Sequence, residues 1–177
     1  MEGVATDRDE GVGFRSLPHN DEAEQALLGA LLSNNEKSHI VSGFLFPEHF
    51  YQPIHGRIFE AILKLGERGQ MANPVTLKHY FENDDALSDI GGAQYLARLA
   101  GSTVTIINAE DYARTVHDLA LRRSLISLGE EVVNDAFDYK IDVPATDQIE
   151  TAEQRPVAPA AIKLPRRETR PLHGGQR

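Results

Sequence analysis

From Ala109 to Phe137 the chain runs without a proline and with one glycine, Gly129, while apolar residues recur at helical spacing. That pattern predicts one continuous helix. At about 1.5 Å per residue it would be about 43 Å long, more than a small globular domain needs to cover its own core. Asn108 and Asp111 stand three apart at its start, the spacing of a capping pair. The first half should bury Tyr112, Val116, Leu119 and Ala120. The second half carries two stripes, one of Leu121, Leu125, Leu128 and Val132, the other of Ile126, Val133 and Phe137. Two stripes on one helix need two surfaces to meet: the domain's own short helices, or another subunit or protein.

The remaining elements are also helical. Asp21 and Glu24 have capping-box spacing ahead of Ala26, Leu27, Ala30 and Leu31, predicting a helix over 21–34. Ile40, Val41, Phe44 and Leu45 suit a second short helix and its exit. Pro47 and Pro53 then punctuate a turn whose rings, Phe46, Phe50 and Tyr51, read as core plugs rather than a ligand cage. Ile54, Ile58, Ala61, Ile62 and Leu65 trace one face of a helix that stops near residues 66–69. Pro74 breaks the chain, and Thr76 can cap a short helix burying Leu77, Tyr80 and Phe81. A further helix over 92–100 would turn Tyr95, Leu96 and Leu99 inward. After the long helix, Pro144 breaks the chain and Thr146 opens an antiparallel return helix, which makes a hairpin. No strand pattern of comparable length competes, so the expected class is all-α.

Charge divides the chain. Of its 177 residues, the first 154 hold 26 acidic side chains against 12 basic, and the last 23 hold six basic against one acidic. The acidic body argues against direct DNA binding, because nucleic-acid affinity comes mainly from Lys and Arg neutralising phosphates. The basic end carries Pro156, Pro159, Pro165 and Pro171, and proline at that density stops the return helix mid-element. The expected organisation is a disordered arm at 1–16, a helical domain at 17–107, a hairpin at 108–154 with an incomplete return arm, and a disordered basic tail at 155–177. With no cysteine there can be no disulfide, thiolate zinc site or cysteine nucleophile. The start of the chain is acidic and Gly-rich, and no run approaches the roughly 20 apolar residues of a membrane span. The expectation is a soluble, unexported, cytoplasmic protein.

Several chemistries lack their residues. No Gly-Lys pair exists to form a nucleotide phosphate loop, so ATP hydrolysis above background is not expected of this chain. Gly91-Gly92 precedes a helix, but the next basic side chain is Arg98, and a flexible helix start explains the pair better than an anion site. Seven histidines include no pair at helical i, i+4 spacing and no carboxylate-rich triad, so no metal site is expected. Asp84-Asp85, His117-Asp118 and Glu130-Glu131 are sequence neighbours that diverge on a helix, not converging acid and base groups.

Five blocks carry a resemblance: PHNDEAEQALLGALL from Pro18, FPEHFYQPIHGRIFEAILKLGERGQ from Phe46, PVTLKHYF from Pro74, IGGAQYLARLA from Ile90 and NAEDYARTVHDLALRRSLI from Asn108. In that order they resemble the N-terminal domain of the bacterial replicative DNA helicase, the DnaB-like family, over residues 17–154. The resemblance implies a compact six-helix domain followed by a helical hairpin. It implies that hairpins pair two subunits within the collar of a hexameric ring, and that primase and a helicase loader are partners. The primase-facing candidates it suggests are Asp89, Tyr95, Ile126 and Val132, the last placed by its distance from Arg122-Arg123. Leu121, Leu125, Leu128, Val133 and Phe137 become the self-association candidates.

The family continues into a linker helix and a RecA-like motor that holds ATP and magnesium; neither cofactor is expected here. The stretch after Gln154 looks like unrelated sequence, of the kind a frameshift, an altered gene end or a cloning junction gives. The expected function is therefore a non-catalytic interaction domain of a replicative helicase. Two rival expectations are a regulator that forms mixed assemblies with full-length helicase, and the front of a helicase whose motor is another chain. An incomplete return arm should also leave part of the 121–137 surface uncovered, with fraying or self-association as the consequence.

Overall fold

In the computed structural model, which describes residues 16–81, 87, 91–101, 109–138 and 144–156, the first helix α1 spans Asp21–Ser33. Its cap is Asn20, whose side chain accepts from the Ala23 amide at 2.9 Å. Asp21 is instead the first helical residue, where its charge suits the helix dipole. Glu24 does not reach back to the cap as its spacing suggests; it points into the core, 2% exposed. The rest of the α1 stripe, Ala23, Leu27, Leu28 and Leu31, is buried as the periodicity requires.

Helix α2 covers Lys37–Val41, and a single 3-10 turn, Pro47–His49, leads into α3 at Pro53–Glu67. The predicted α3 face is buried along its whole length, with Phe59 added to it. Phe50 packs against Phe59 at 5.2 Å between ring centres, so that plug is real. Asn35 ties the α1–α2 turn to the strap before α4: its side chain donates to the Leu31 and Ala72 carbonyls and accepts from the Ala72 amide. Helix α4, Pro74–Tyr80, begins on the proline expected to be a breaker, because proline is well suited to a first helical position. Asn73 caps it, accepting from Val75 and Thr76 amides, while Thr76 Oγ1 accepts from the Asn73 amide. Leu77 and Phe81 go inward, but Tyr80 is 43% exposed, since the helix ends there and the turn carries Phe81 into the core instead.

Helix α5, Gly92–Gly101, starts from two residues with positive φ, Gly91 at 109° and Gly92 at 55°, a conformation open to glycine. It packs on both α1 and α4 and buries Leu96 and Leu99. Helix α6 runs over Ala109–Phe137, 29 residues. Its buried stripe is Ala109, Ala113, Val116 and Ala120, with Tyr112 and Leu119 half-buried at the flanks rather than central. Three alanines let the helix backbone lie close to the core, which leaves the larger side chains at the edge of the contact. The return helix α7 covers Ala145–Gln154.

The chain divides into two units inside α6, between Arg123 and Ser124. Residues 109–123, assigned to the hairpin by sequence, thus lie in the first unit, held by that alanine-rich stripe. Among the described residues there is no strand, and no helix is long and apolar enough to cross a membrane. Residues 1–15, Asp89, Asn108 and the tail from Val157 onward lie outside the described residues.

One close approach makes a stability prediction. At Gly56, α3 passes beneath Pro47 so tightly that an added methyl group would overlap the Pro47 carbonyl oxygen and lie 3.2 Å from its carbon. Glycine to alanine in a helix normally gains up to about 1 kcal/mol, whereas overpacking against backbone costs about 1–3 kcal/mol. Gly56→Ala is expected to lower the urea-derived unfolding free energy by about 1–2 kcal/mol. An unchanged or raised midpoint would show that the 3-10 turn yields freely.

Candidate functional site

A buried polar relay joins four elements of the first unit. The Glu24 carboxylate accepts from the amides of Tyr51 at 2.5 Å and Gln52 at 3.3 Å, and pairs with His55 Nδ1 at 2.6 Å. The other ring nitrogen, His55 Nε2, lies 2.5 Å from the Tyr95 hydroxyl. With Nδ1–H donating to the carboxylate, Nε2 accepts from the tyrosine. Glu24 and His55 are each 2% exposed. Tyr95 is half-buried with the Arg98 guanidinium over its ring at 5.4 Å, and burial is the main cause raising its phenol pKa. Both imidazole nitrogens are already committed, so the relay has no free base for chemistry. Its effect is to fix the Tyr95 ring on the surface of α5.

A second histidine pair supports the base of α6. His49, 5% exposed, accepts the Phe46 amide at Nδ1 over 3.1 Å, and its ring meets His117 edge-on at 5.0 Å. Burial, followed by the neighbouring His117 and opposed by Glu48, lowers the His49 pKa to about 4. Burial also lowers His117, whose Nε2 is enclosed without a hydrogen-bond partner. Arg123 clamps the same corner, donating to the Pro18 carbonyl at 2.8 Å and the His49 carbonyl at 2.6 Å. Among the described residues no group of three His, Cys, Asp or Glu could hold a metal.

The second unit presents a surface rather than a core; no α7 residue is buried. Val132, Asp135 and Ala136 of α6 face Ala145, Ile149 and Ala152 of α7 across a shallow groove of about 230 Å³. Gln148 donates to the Asp135 carbonyl at 3.1 Å. Arg155, assigned to the tail by sequence, closes the groove: it pairs with Asp135 and lies 3.8 Å from Glu131. The other α6 stripe stays open, with Ile126 39%, Val133 53% and Phe137 85% exposed. Leu125, on the groove-side stripe but beyond the groove, is 53% exposed, and Leu121 and Leu128 are half-buried.

The predicted partner-facing residues fall in both units. Tyr95 belongs to the first unit and Ile126 and Val132 to the second, on different α6 stripes, with Val132 half-buried in the groove. Asp89 is outside the described residues. Sequence reading missed Glu24 and His55; the available signal was a carboxylate sharing a helical stripe with Leu27, Leu28 and Leu31.

These features define a class: among the described residues, an all-helical domain leading into a helical pair, with apolar residues displayed on α6. A family model described as the DnaB-like helicase N terminal domain matches residues 16–118. The chain belongs to that family. It is 48% identical over 141 residues to the replicative DNA helicase DnaB of Rickettsia felis, covering 80% of this chain and 28% of the relative. With the replicative DNA helicase DnaC of Bacillus subtilis it shares 36% over 129 residues, 73% of this chain and 28% of the relative. The chain thus spans less than a third of these relatives. The crystal structure of the N-terminal domain of DnaB helicase from Mycobacterium tuberculosis matches with a TM-score of 0.70 at 33% identity, covering 78% of this chain and 96% of that one. A structure of a DnaB-like replicative helicase, described with its interactions with primase, matches in fold with a TM-score of 0.55 at 24% identity, covering 77% of this chain and 36% of that one.

Proposed function

We propose that this chain acts in DNA replication as the N-terminal interaction domain of a replicative helicase, associating with itself through the hairpin and receiving primase and a loader, without motor activity of its own. The reading is supported chiefly by the open stripe of Ile126, Val133 and Phe137 on a helix whose other stripe meets α7 at Val132. A single apolar side chain on a surface is ordinary; three aligned on one helix face are a contact surface. Leu125, with Leu121 and Leu128 behind it, extends the self-association surface. Primase contact falls to Asp89, Tyr95, Ile126 and Val132. Apolar anchors supply the affinity, and the acidic body selects basic partners and speeds their approach. The relative described with primase supports that partner.

Self-association is tested by sedimentation velocity across a concentration series. The wild-type chain is expected to form dimers at high micromolar concentration, and Val133→Glu with Phe137→Glu to sediment as a monomer throughout. A wild-type monomer at every concentration, or a double variant that still dimerises, would overturn the hairpin reading.

A further inference from the structure

We propose that the groove between α6 and α7 receives the Phe137 ring of a second copy of this chain, each copy giving one ring and taking one. The groove walls are mostly apolar, with Val132 and Ala136 from α6 and Ala145, Ile149 and Ala152 from α7. They are open to solvent: Ile149 is 59% exposed, and Ala145 is exposed as well. At about 230 Å³ the space is below the roughly 300–1,000 Å³ of a small-molecule site and suits one large side chain. Phe137, the last residue of α6, is 85% exposed, more than any other large apolar side chain among the described residues. Its own groove is out of reach, because at about 100° per residue it stands about 100° round the helix from Ala136 and about 140° from Val132.

Ring and groove adjoin, which is what two copies need in order to exchange them. Ala136 lines the groove and is the i+3 neighbour of Val133 on the open stripe, so both features belong to one continuous surface of the hairpin. A two-fold pairing requires one such self-complementary patch. Charge in the groove fits an aromatic guest: Arg155 pairs with Asp135 and lies 3.8 Å from Glu131, which offsets two α6 carboxylates and places a guanidinium on the groove wall for the incoming ring to lie against. Area sets the strength. Two buried rings account for about 300–500 Å², and walls of similar extent bring the total to about 600–1,000 Å², short of the roughly 1,200 Å² of a stable complex. Contact through Val133 alongside adds to it, so the dimer is expected at micromolar rather than nanomolar concentration. Residues 124–154 hold eight acidic side chains against one basic, so two copies repel at long range and added salt should tighten the dimer. This inference rests on the self-association proposed above and names the surface through which it acts.

Sedimentation equilibrium on the full chain and two variants tests it. Phe137→Ala removes the ring and keeps the groove, whereas Ala152→Leu fills the groove from its own wall and keeps the ring. Each variant alone is expected to dimerise about tenfold more weakly than the wild type or worse. An equimolar mixture of the two should associate more strongly than either, because the ring of one chain meets the groove of the other. Far-UV circular dichroism checks that both stay helical; if Ala152→Leu does not, Ala145→Leu fills the groove from the exposed start of α7. Wild-type association by the filled-groove variant, a mixture no stronger than its parts, or a wild-type dimer that dissociates as salt is added would each overturn the groove as receptor while leaving self-association through the hairpin standing. A wild type that is monomeric at every concentration would overturn both.

Discussion

Glu24→Ala is expected to lower the unfolding free energy by about 3–5 kcal/mol, a large effect for a single substitution. The carboxylate receives two amides and an imidazole in a site from which water is excluded. Alanine would leave all three donors buried without an acceptor, and each such group costs about 1–3 kcal/mol. The damage would spread along the relay, because His55 would lose the partner that orients it toward Tyr95. Glu24→Gln keeps one acceptor oxygen and should recover part of the loss. Urea unfolding followed by far-UV circular dichroism measures both; a loss under about 1 kcal/mol for the alanine variant would show that solvent or neighbouring groups satisfy the donors.

Acid should weaken the fold through His49. Its pKa is about 4 in the folded chain and 6.5 in the ordinary state, so between those values the unfolded chain binds the proton and the folded one does not. Stability from this group is therefore complete above about pH 6.5 and is lost as pH falls toward 4. At about 1.4 kcal/mol per unit the ceiling is about 3 kcal/mol, which partial solvent screening around the ring reduces to about 2 kcal/mol. The structural reason is specific: Nδ1 accepts the Phe46 amide, and protonation would set donor against donor. His117, also lowered by burial, acts in the same direction. Asn at position 49 offers a comparable acceptor without titrating, so the stability difference between wild type and His49→Asn should shift in the variant's favour by about 2 kcal/mol between pH 7 and pH 4. A pH-independent difference would contradict the assignment.

The parts of the fold that are local in sequence were legible. The α3 face from Ile54 to Leu65 and the two stripes of α6 repeat at helical spacing, and that spacing alone decides which side chains share a face. Helix starts were legible only to within a residue or so, because Asn20, Asp21, Asn73 and Thr76 are all competent caps and only the folded backbone selects among them. The relay was hidden for another reason. Glu24 is 31 residues from His55, which is 40 from Tyr95, and no periodic signal links groups brought together only by packing of α1, α3 and α5. The burial of Ala113 ahead of Tyr112 reflects how closely α6 approaches the core, which composition does not reveal. Of the candidate surface, Ile126, Val133 and Phe137 were readable because a second stripe had no partner within the hairpin; the placement of Arg155 on α6 was not, since its side chain belongs by composition to the basic tail.

An interaction role is tested most directly by titrating the full chain with the C-terminal domain of primase and comparing wild type with Tyr95→Ala, Tyr95→Phe and Ile126→Ala. The expected result is saturable binding by the wild type, retained in Tyr95→Phe and weakened about tenfold or more in Ile126→Ala and Tyr95→Ala, which is about 1.4 kcal/mol or more each. Absence of binding by the wild type, or equal binding by all four proteins, would contradict it.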